Sequence, residues 1–274
     1  VIFALLYQML WNIFLISCQD GPLSRIDQST LPQLTLMEML IEGLRHSDKC
    51  NICGDPDDPD ALTEWKNVKL DDNDDVISID WIGCDLEGTM NLQWLPATVE
   101  SCALCENYLH GDLDLIHLLI GLKDLSVRNN IFSGEISLTQ LPSRLETLNA
   151  AGNRLSGTIS LDHLPKTLIS LFLSQNNFQG SVSLCNLPEG LQDLALQKNN
   201  FSGEITLKSL PKKMKRLYLN ENSFEGTIDS DHLPYSLKYL DVSDTKLCGR
   251  LVIHPGKCFY TEKAKAVTRK VKYN

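Results

Sequence analysis

The side chains able to carry catalysis or hold a metal are spread along this chain in a pattern that favours neither. His117, His163 and His232 each precede a Leu-Leu or Leu-Pro pair, in non-adjacent stretches. A general base needs a partner within hydrogen-bond reach, and this spacing sets the three apart on separate loops. Cys50-x-x-Cys53 and Cys102-x-x-Cys105 have the form of two halves of a four-thiolate zinc site. They stand far apart, with nothing between them that obviously folds one onto the other. Cys102 reads better as a small buried hydrophobe. Residues 55 to 87 carry Asp55, Asp57, Asp58, Asp60, Glu64, Asp71, Asp72, Asp74, Asp75, Asp80, Asp85 and Glu87. That run lacks EF-hand ligand spacing and reads as a solvated loop. H-E-x-x-H, G-x-S-x-G and phosphate-cradling glycine loops do not occur. The expectation is no enzyme, no cofactor and no metal. The remaining chemistry is that of recognition: Arg216 near Tyr218 and Tyr239 has the composition of an interface anchor.

The elements that position these residues follow from a period of 23. Leu141-Pro142, Leu164-Pro165, Leu187-Pro188, Leu210-Pro211 and Leu233-Pro234 repeat at that interval, with Leu118-Leu119 and Leu95-Pro96 in phase before them. With that Leu as position zero, seven on stand Cys102, Leu125, Leu148, Leu171, Leu194, Leu217 and Leu240. Twelve on stand Asn107, Asn130, Asn153, Asn176, Asn199 and Asn222, then Thr245. Sixteen on, every unit has glycine, from Gly111 to Gly249. Val76, Ile79, Trp81, Cys84, Leu86 and Gly88 fill the same slots in a divergent first unit starting near Asp72. The pattern L-x-x-L-x-L-x-x-N is the leucine-rich-repeat signature.

Its physics predicts an α/β-type solenoid, mostly short parallel strands with irregular return segments. The x-Leu-x-Leu piece has period two, so each unit contributes one strand with its leucines turned inward. Stacked strands lie about 4.8 Å apart. The Asn amide can satisfy backbone groups freed where the chain leaves the strand, and Cys84 and Thr245 replace it at the two ends. Glycine sixteen on suits a bend with φ > 0. One unit cannot bury its own apolar face, so the ends need covers. Leu34, Met37, Leu40, Ile41 and Leu44 predict a short helix over 35–45, and Asp60 could cap a second over 61–65. The organisation expected is a signal peptide or signal anchor at 1–18, a helical N-terminal cap at 19–71, eight repeats at 72–255, and a C-terminal cap with a basic tail at 256–274.

The strands should line the concave side, and their outward residues form columns six, eight, ten and eleven on. The candidate ligand-binding residues taken from those columns are Asp124, Arg128, Asn149, Phe172, Asp193, Gln197, Arg216, Tyr218, Asn220, Tyr239 and Asp241. Small, polar and of mixed charge, they suit a modest, wet interface with a protein or glycan.

The net charge of −10 argues against nucleic acid as partner, and the basic tail could touch anionic lipid or an acidic partner. Residues 1–18 are uncharged and largely apolar, as in a secretory signal; the rival is a retained membrane anchor. Setting aside Cys18 leaves eight cysteines, a number that fits export and disulfides. Cys248 with Cys258 is the pairing favoured, because it would staple the closing cap to the last unit. Asn200-Phe201-Ser202 is the one glycosylation sequon, placing Asn200 as a candidate glycan site.

Asp80-Trp81-Ile82-Gly83-Cys84-Asp85 with Gly88-Thr89-Met90 resembles the N-terminal cap of plant-type leucine-rich-repeat ectodomains. Leu247-Cys248-Gly249-Arg250-Leu251 with Cys258 resembles their closing motif. The unit length and Leu-Pro-x-x-Leu spacing look most like secreted or surface leucine-rich-repeat proteins of kinetoplastid protists. The chain departs from the plant pattern in a unit one residue shorter and in lacking the usual cap cysteine pair beside the Trp. The resemblance implies a right-handed leucine-rich-repeat horseshoe, secreted or at the cell surface, that recognises a protein or glycan. Two alternatives are an inhibitor of a secreted hydrolase and a structural coat or adhesion protein. A monomer is expected.

Overall fold

The computed structural model describes residues 28–270. The expected signal or anchor segment at 1–18 lies outside the described residues, as does the end of the basic tail. The chain divides into two units, Val1–Leu31 and Pro32–Asn274. The described part of the first is a 3₁₀ turn at Gln28–Thr30 with Leu31. The second holds everything below.

A ten-stranded sheet runs through the second unit. Its strands are β1 (Val68–Leu70), β2 (Val76–Asp80), β3 (Ser101–Ala103), β4 (Asp124–Ser126), β5 (Thr147–Asn149), β6 (Ser170–Phe172), β7 (Asp193–Ala195), β8 (Arg216–Tyr218), β9 (Tyr239–Asp241) and β10 (Cys258–Tyr260). β1 and β2 pair antiparallel; every later pair is parallel, in chain order. From β3 to β9 the register advances by one repeat per strand, so Cys102, Leu125, Leu148, Leu171, Leu194, Leu217 and Leu240 stack in one buried row. The inward leucines predicted from period two therefore lie where the sequence puts them. On the return side, shorter parallel ladders join Glu87–Thr89, Tyr108–Asp112, Ile131–Glu135 and Arg154–Ser156, and then successive pairs up to Lys265–Lys270.

Two ladders of side chains bolt neighbouring units together. Each buried Asn reaches back one unit: Asn176 Nδ2 donates to Ala150 O at 2.9 Å and Oδ1 accepts from Leu155 N at 3.0 Å. The same amide also donates to Leu173 O and Ser174 O in its own bend. Asn107, Asn130, Asn153, Asn199 and Asn222 repeat the arrangement. At the end of the row Thr245 Oγ1 donates to Val242 O within its own bend, at 2.6 Å, too short a side chain to span a unit. The second ladder was not anticipated. Three positions after the repeat leucine, Thr167 Oγ1 donates to Ser143 O and Leu145 O, and Ser236 Oγ to Lys212 O and Met214 O. Both hold the turn that enters the previous strand.

The core row fourteen on carries three aromatics in succession before it closes with Leu247. Phe178, Phe201 and Phe224 stack with centroids 6.0 and 5.8 Å apart and planes within 13° of parallel, and none is exposed. The glycines sixteen on all have positive φ, as the bend demands. Gly226 (φ 122°) is packed so that an added Cβ would sit 2.6 Å from Ile205 O. Gly226→Ala should cost at least about 1–3 kcal/mol from backbone strain, with the clash in addition; urea unfolding reads it.

Ahead of β1 lie α1 (Gln33–Ile41) and α2 (His46–Cys53). α1 overlaps the helix expected over 35–45 but starts two residues earlier and ends four residues earlier. α2 was missed because its sequence, His-Ser-Asp-Lys-Cys-Asn-Ile-Cys, has no apolar stripe. It is fixed instead by Asp48, which is buried, accepts from Glu87 N at 2.8 Å and pairs with Arg45. Burial pushes the Asp48 carboxyl up, but those hydrogen bonds outweigh it and hold it below the usual range. The helix expected over 61–65 is a 3₁₀ turn, Leu62–Glu64. Trp65 and Trp81 are buried beside it and donate to Asp60 O and Lys66 O.

The disulfide-linked C-terminal cap is not formed. All eight described cysteines are free thiols. Cys248 lies on the return-side strand Cys248–Ile253, pairing with Thr227, whereas Cys258 opens β10 beside Tyr239. The two belong to different sheets. The closing segment is instead a shortened ninth unit: β10 extends the main ladder and Lys265–Lys270 extends the return ladder. Cys102 is buried, and burial pushes its thiol up to about 12; burial pushes Cys53 up to about 11. Native alkylation near pH 8 should therefore modify the exposed Cys50 and Cys185 first and spare Cys53 and Cys102. Peptide mapping by mass spectrometry checks this; early loss of the Cys102 thiol would contradict it.

Candidate functional site

The outward residues of the main sheet form two continuous columns. Six on, the lateral order is Ser78, Ser101, Asp124, Thr147, Ser170, Asp193, Arg216, Tyr239 and Cys258. Eight on, it is Asp80, Ala103, Ser126, Asn149, Phe172, Ala195, Tyr218, Asp241 and Tyr260. The alternation of side chains along a strand puts both columns on one face. Asp124, Asn149, Phe172, Asp193, Arg216, Tyr218, Tyr239 and Asp241 are thus brought together as expected. Arg128, Gln197 and Asn220 follow the strands, in the bends ten on.

Two of these residues differ from a freely presented contact. Asp193 is only 5% exposed, although its strand position faces outward. The fork of Arg216 closes over it, with Nε 2.5 Å from Oδ1 and the terminal nitrogen 2.7 Å from Oδ2, while Ser170 Oγ donates from the other side. That bidentate hydrogen bonding raises the Arg216 guanidinium further above its usual value. Arg216 therefore serves first as the cover of Asp193, and only its remaining donors and planar face are open. Ala195 is buried as well, between the larger Phe172 and Tyr218 of the flanking strands.

The aromatic side chains concentrate toward the C-terminal strands. Tyr218 is partly buried, which raises its phenol above the usual value while Arg216 pulls the other way. Tyr239 is 40% exposed and Tyr260 51%. Tyr260 extends the eight-on column past Asp241, and sequence counting missed it because the last unit is shortened. In the bends beside them, Gln197 Oε1 and Asn220 Oδ1 are buried and accept no hydrogen bond. They sit in adjacent units, joined by Lys198 N donating to Asn220 O at 3.0 Å.

The other residues with chemical potential stay apart. His117 and His232 each hydrogen-bond an aspartate three residues earlier, Asp114 at 2.6 Å and Asp229 at 2.9 Å, on exposed return segments. Among the described residues, no three His, Cys, Asp or Glu side chains converge as metal ligands, and no helix is long and apolar enough to cross a membrane. Asn200 is exposed at the start of the return strand Asn200–Glu204.

No protein-family model matches the sequence, and comparison with curated proteins finds no match. Solved structures do match. A PEPR1–AtPEP1 complex superposes with a TM-score of 0.56 at 20% identity, over 87% of this chain and 42% of that one. The leucine-rich-repeat ectodomain of the plant membrane receptor kinase GASSHO1/SCHENGEN3 from Arabidopsis thaliana, in complex with CASPARIAN STRIP INTEGRITY FACTOR 2, gives 0.54 at 19% identity, over 81% and 30%. The chain thus spans less than half the length of either. With the Asn ladder, the stacked inward leucines and these superpositions together, the chain is in fold a leucine-rich-repeat protein.

Proposed function

We propose that this chain is a non-catalytic recognition module, secreted or at a cell surface, which binds a protein or glycan on the outward face of its main sheet. The observation that carries the reading is the row of aromatics on that face. Phe172, Tyr218, Tyr239 and Tyr260 stand on four of its last five strands, beside the capped pair Arg216–Asp193. Aromatic rings and Arg are the side chains that dominate interface energetics. A rigid sheet holds them pre-positioned, which lowers the entropy lost on binding. Two superposable structures hold a partner, AtPEP1 in one and CASPARIAN STRIP INTEGRITY FACTOR 2 in the other, and the second is a receptor ectodomain. That supports an extracellular setting and a macromolecular ligand.

The test is recovery of a ligand from extracellular fluid with the full chain, followed by affinity measurement on variants. Tyr239→Ala with Tyr218→Ala is expected to cost about 2 kcal/mol or more, on the order of 30-fold in Kd. Tyr108→Ala, on an exposed return strand, should leave the affinity within about twofold. Unchanged affinity in the first variant would remove the basis of the reading. Inhibition of a hydrolase by the wild-type chain, lost in the same variant, would identify the ligand as an enzyme held on this face.

A further inference from the structure

Beside the aromatic face lies a second surface that uses none of its residues. Lys212, Lys213 and Lys215 come from the turn entering β8, and Lys238 from the turn entering β9; all four are exposed. Their placement is fixed by backbone bonds. Lys238 N donates to Lys215 O at 2.8 Å, and Ser236 Oγ donates to Lys212 O at 2.6 Å. The lysines are thereby held in adjacent units.

None of the four has an ion-pair partner among the described residues. The clustering is what is unusual: the chain carries ten more acidic than basic groups, yet four lysines without ion pairs share two adjacent units, whereas some lysines elsewhere are paired. Lys123 meets Glu100 at 2.8 Å, Lys246 meets Glu225 at 3.0 Å, and Lys263 meets Asp244 at 3.0 Å. The column that holds Lys215 and Lys238 reads Glu100, Lys123, Glu146, Ile169, Gln192, Lys215, Lys238 along the sheet. Signs alternate at one end, and unbalanced positive charge remains at the other. Glu189, one unit before Lys212, pairs with none of them. In the last unit Lys257 adds its charge to the same region. Its Nζ donates to Leu237 O at 2.6 Å and to Tyr235 O. Burial and then the nearby Lys238 hold its ammonium below the usual lysine value.

The centre of this surface is Tyr235, 96% exposed. Lys257 Nζ lies 4.9 Å from its ring centroid, so one ring face is engaged by a cation and the other is open.

We propose that Lys212, Lys213, Lys215, Lys238 and Tyr235 form a binding surface for a linear anionic polysaccharide, its carboxylates or sulfates meeting the lysines and a sugar ring stacking on Tyr235. The chemistry favours this over an acidic peptide. The amides of Lys215 and Lys238 are consumed in the main ladder, so an extended peptide could not pair with the chain there, and what the surface offers is cations and a flat ring. Lysines act as separated point charges, suited to anionic groups spaced along a polymer rather than to one planar carboxylate.

The test uses the full chain and three probes: polygalacturonate, poly-glutamate, and vesicles of phosphatidylcholine with phosphatidylserine. Polygalacturonate should bind best, with affinity falling as salt rises, because exposed charges are screened. The fourfold variant Lys212→Gln, Lys213→Gln, Lys215→Gln, Lys238→Gln should lose about tenfold or more in affinity, with unchanged circular dichroism. Tyr235→Ala should weaken polygalacturonate several-fold and leave the residual binding of poly-glutamate unchanged. Preference for poly-glutamate or for the vesicles would overturn the assignment, as would polygalacturonate binding unaffected by the lysine changes. The Tyr239→Ala, Tyr218→Ala variant should retain polygalacturonate binding, so failure here and failure of the main-face reading are separable.

Discussion

Replacing Asn176 by alanine should destabilise the chain by about 2–4 kcal/mol, a large effect for one polar side chain. Its carboxamide satisfies Leu155 N and Ala150 O in the unit before, and Leu173 O and Ser174 O in its own bend. All of these are buried from solvent. Truncation leaves Leu155 N without its acceptor, at about 1–3 kcal/mol, whereas Ala150 O and Leu173 O keep the amides of Asn153 and Asn199, and Ser174 O keeps Gly152 N. The other hydrogen bonds lost from the amide, at about 0.5–1.5 kcal/mol each, bring the cost to the range given. Asn176→Asp should be nearly as damaging, since it removes the donors and buries a carboxylate. The control is Thr245→Ala at the end of the row. Its hydroxyl serves Val242 O within one unit, so its loss should cost only about 1 kcal/mol. Chemical denaturation with linear extrapolation reads all three. Equal costs at 176 and 245 would mean that the amide does not bridge units.

Phe201→Ala should cost about 3–5 kcal/mol, as is usual for a buried Phe. The ring lies between Phe178 and Phe224, so its removal also leaves two stacking faces uncovered. A built-in comparison exists along the same row. Leu109, Leu155 and Leu247 occupy the slot in other units and are likewise buried. The slot therefore accepts leucine, and Phe201→Leu should cost much less, about 1–2 kcal/mol. Since each unit contacts mainly its neighbours, the alanine variant should also speed amide hydrogen exchange most strongly in 178–224. Uniform exchange along the whole array would argue for a single cooperative block.

The features legible in the sequence are those repeated in every unit. Leu125, Leu148 and Leu171 stack because period two and period 23 act together, and either alone would have left the face of the strand open. The Asn row was legible because a buried amide at a strand exit has few other uses. The features that escaped are those where one unit departs from the rest. Tyr260 stands beside Asp241 because β10 begins 19 residues after Tyr239, not 23, and periodic counting ends before it. Asp193 occupies an outward column but is covered by Arg216, a lateral contact across units that no single-unit pattern contains. α2 is held by Asp48 to Glu87 N rather than by an apolar stripe. The expected Cys248–Cys258 bond failed for a related reason. Closeness in sequence and a shared place near the end put the two together on paper, whereas the fold sends one to each sheet. The second ladder, through Thr167 and Ser236, was hidden because glycine, arginine and lysine fill the same slot elsewhere, at Gly190, Arg144 and Lys213.

The outward columns matter functionally only if a ligand docks on them, and tyrosine footprinting of the unmodified chain measures that directly. Tyr239, Tyr260 and Tyr108 are all open to reagent when the chain is free. With ligand bound, modification of Tyr239 and Tyr260 should fall several-fold while Tyr108 reacts as before. Protection of Tyr108 with Tyr239 and Tyr260 unchanged would place the ligand on the return side and contradict the account.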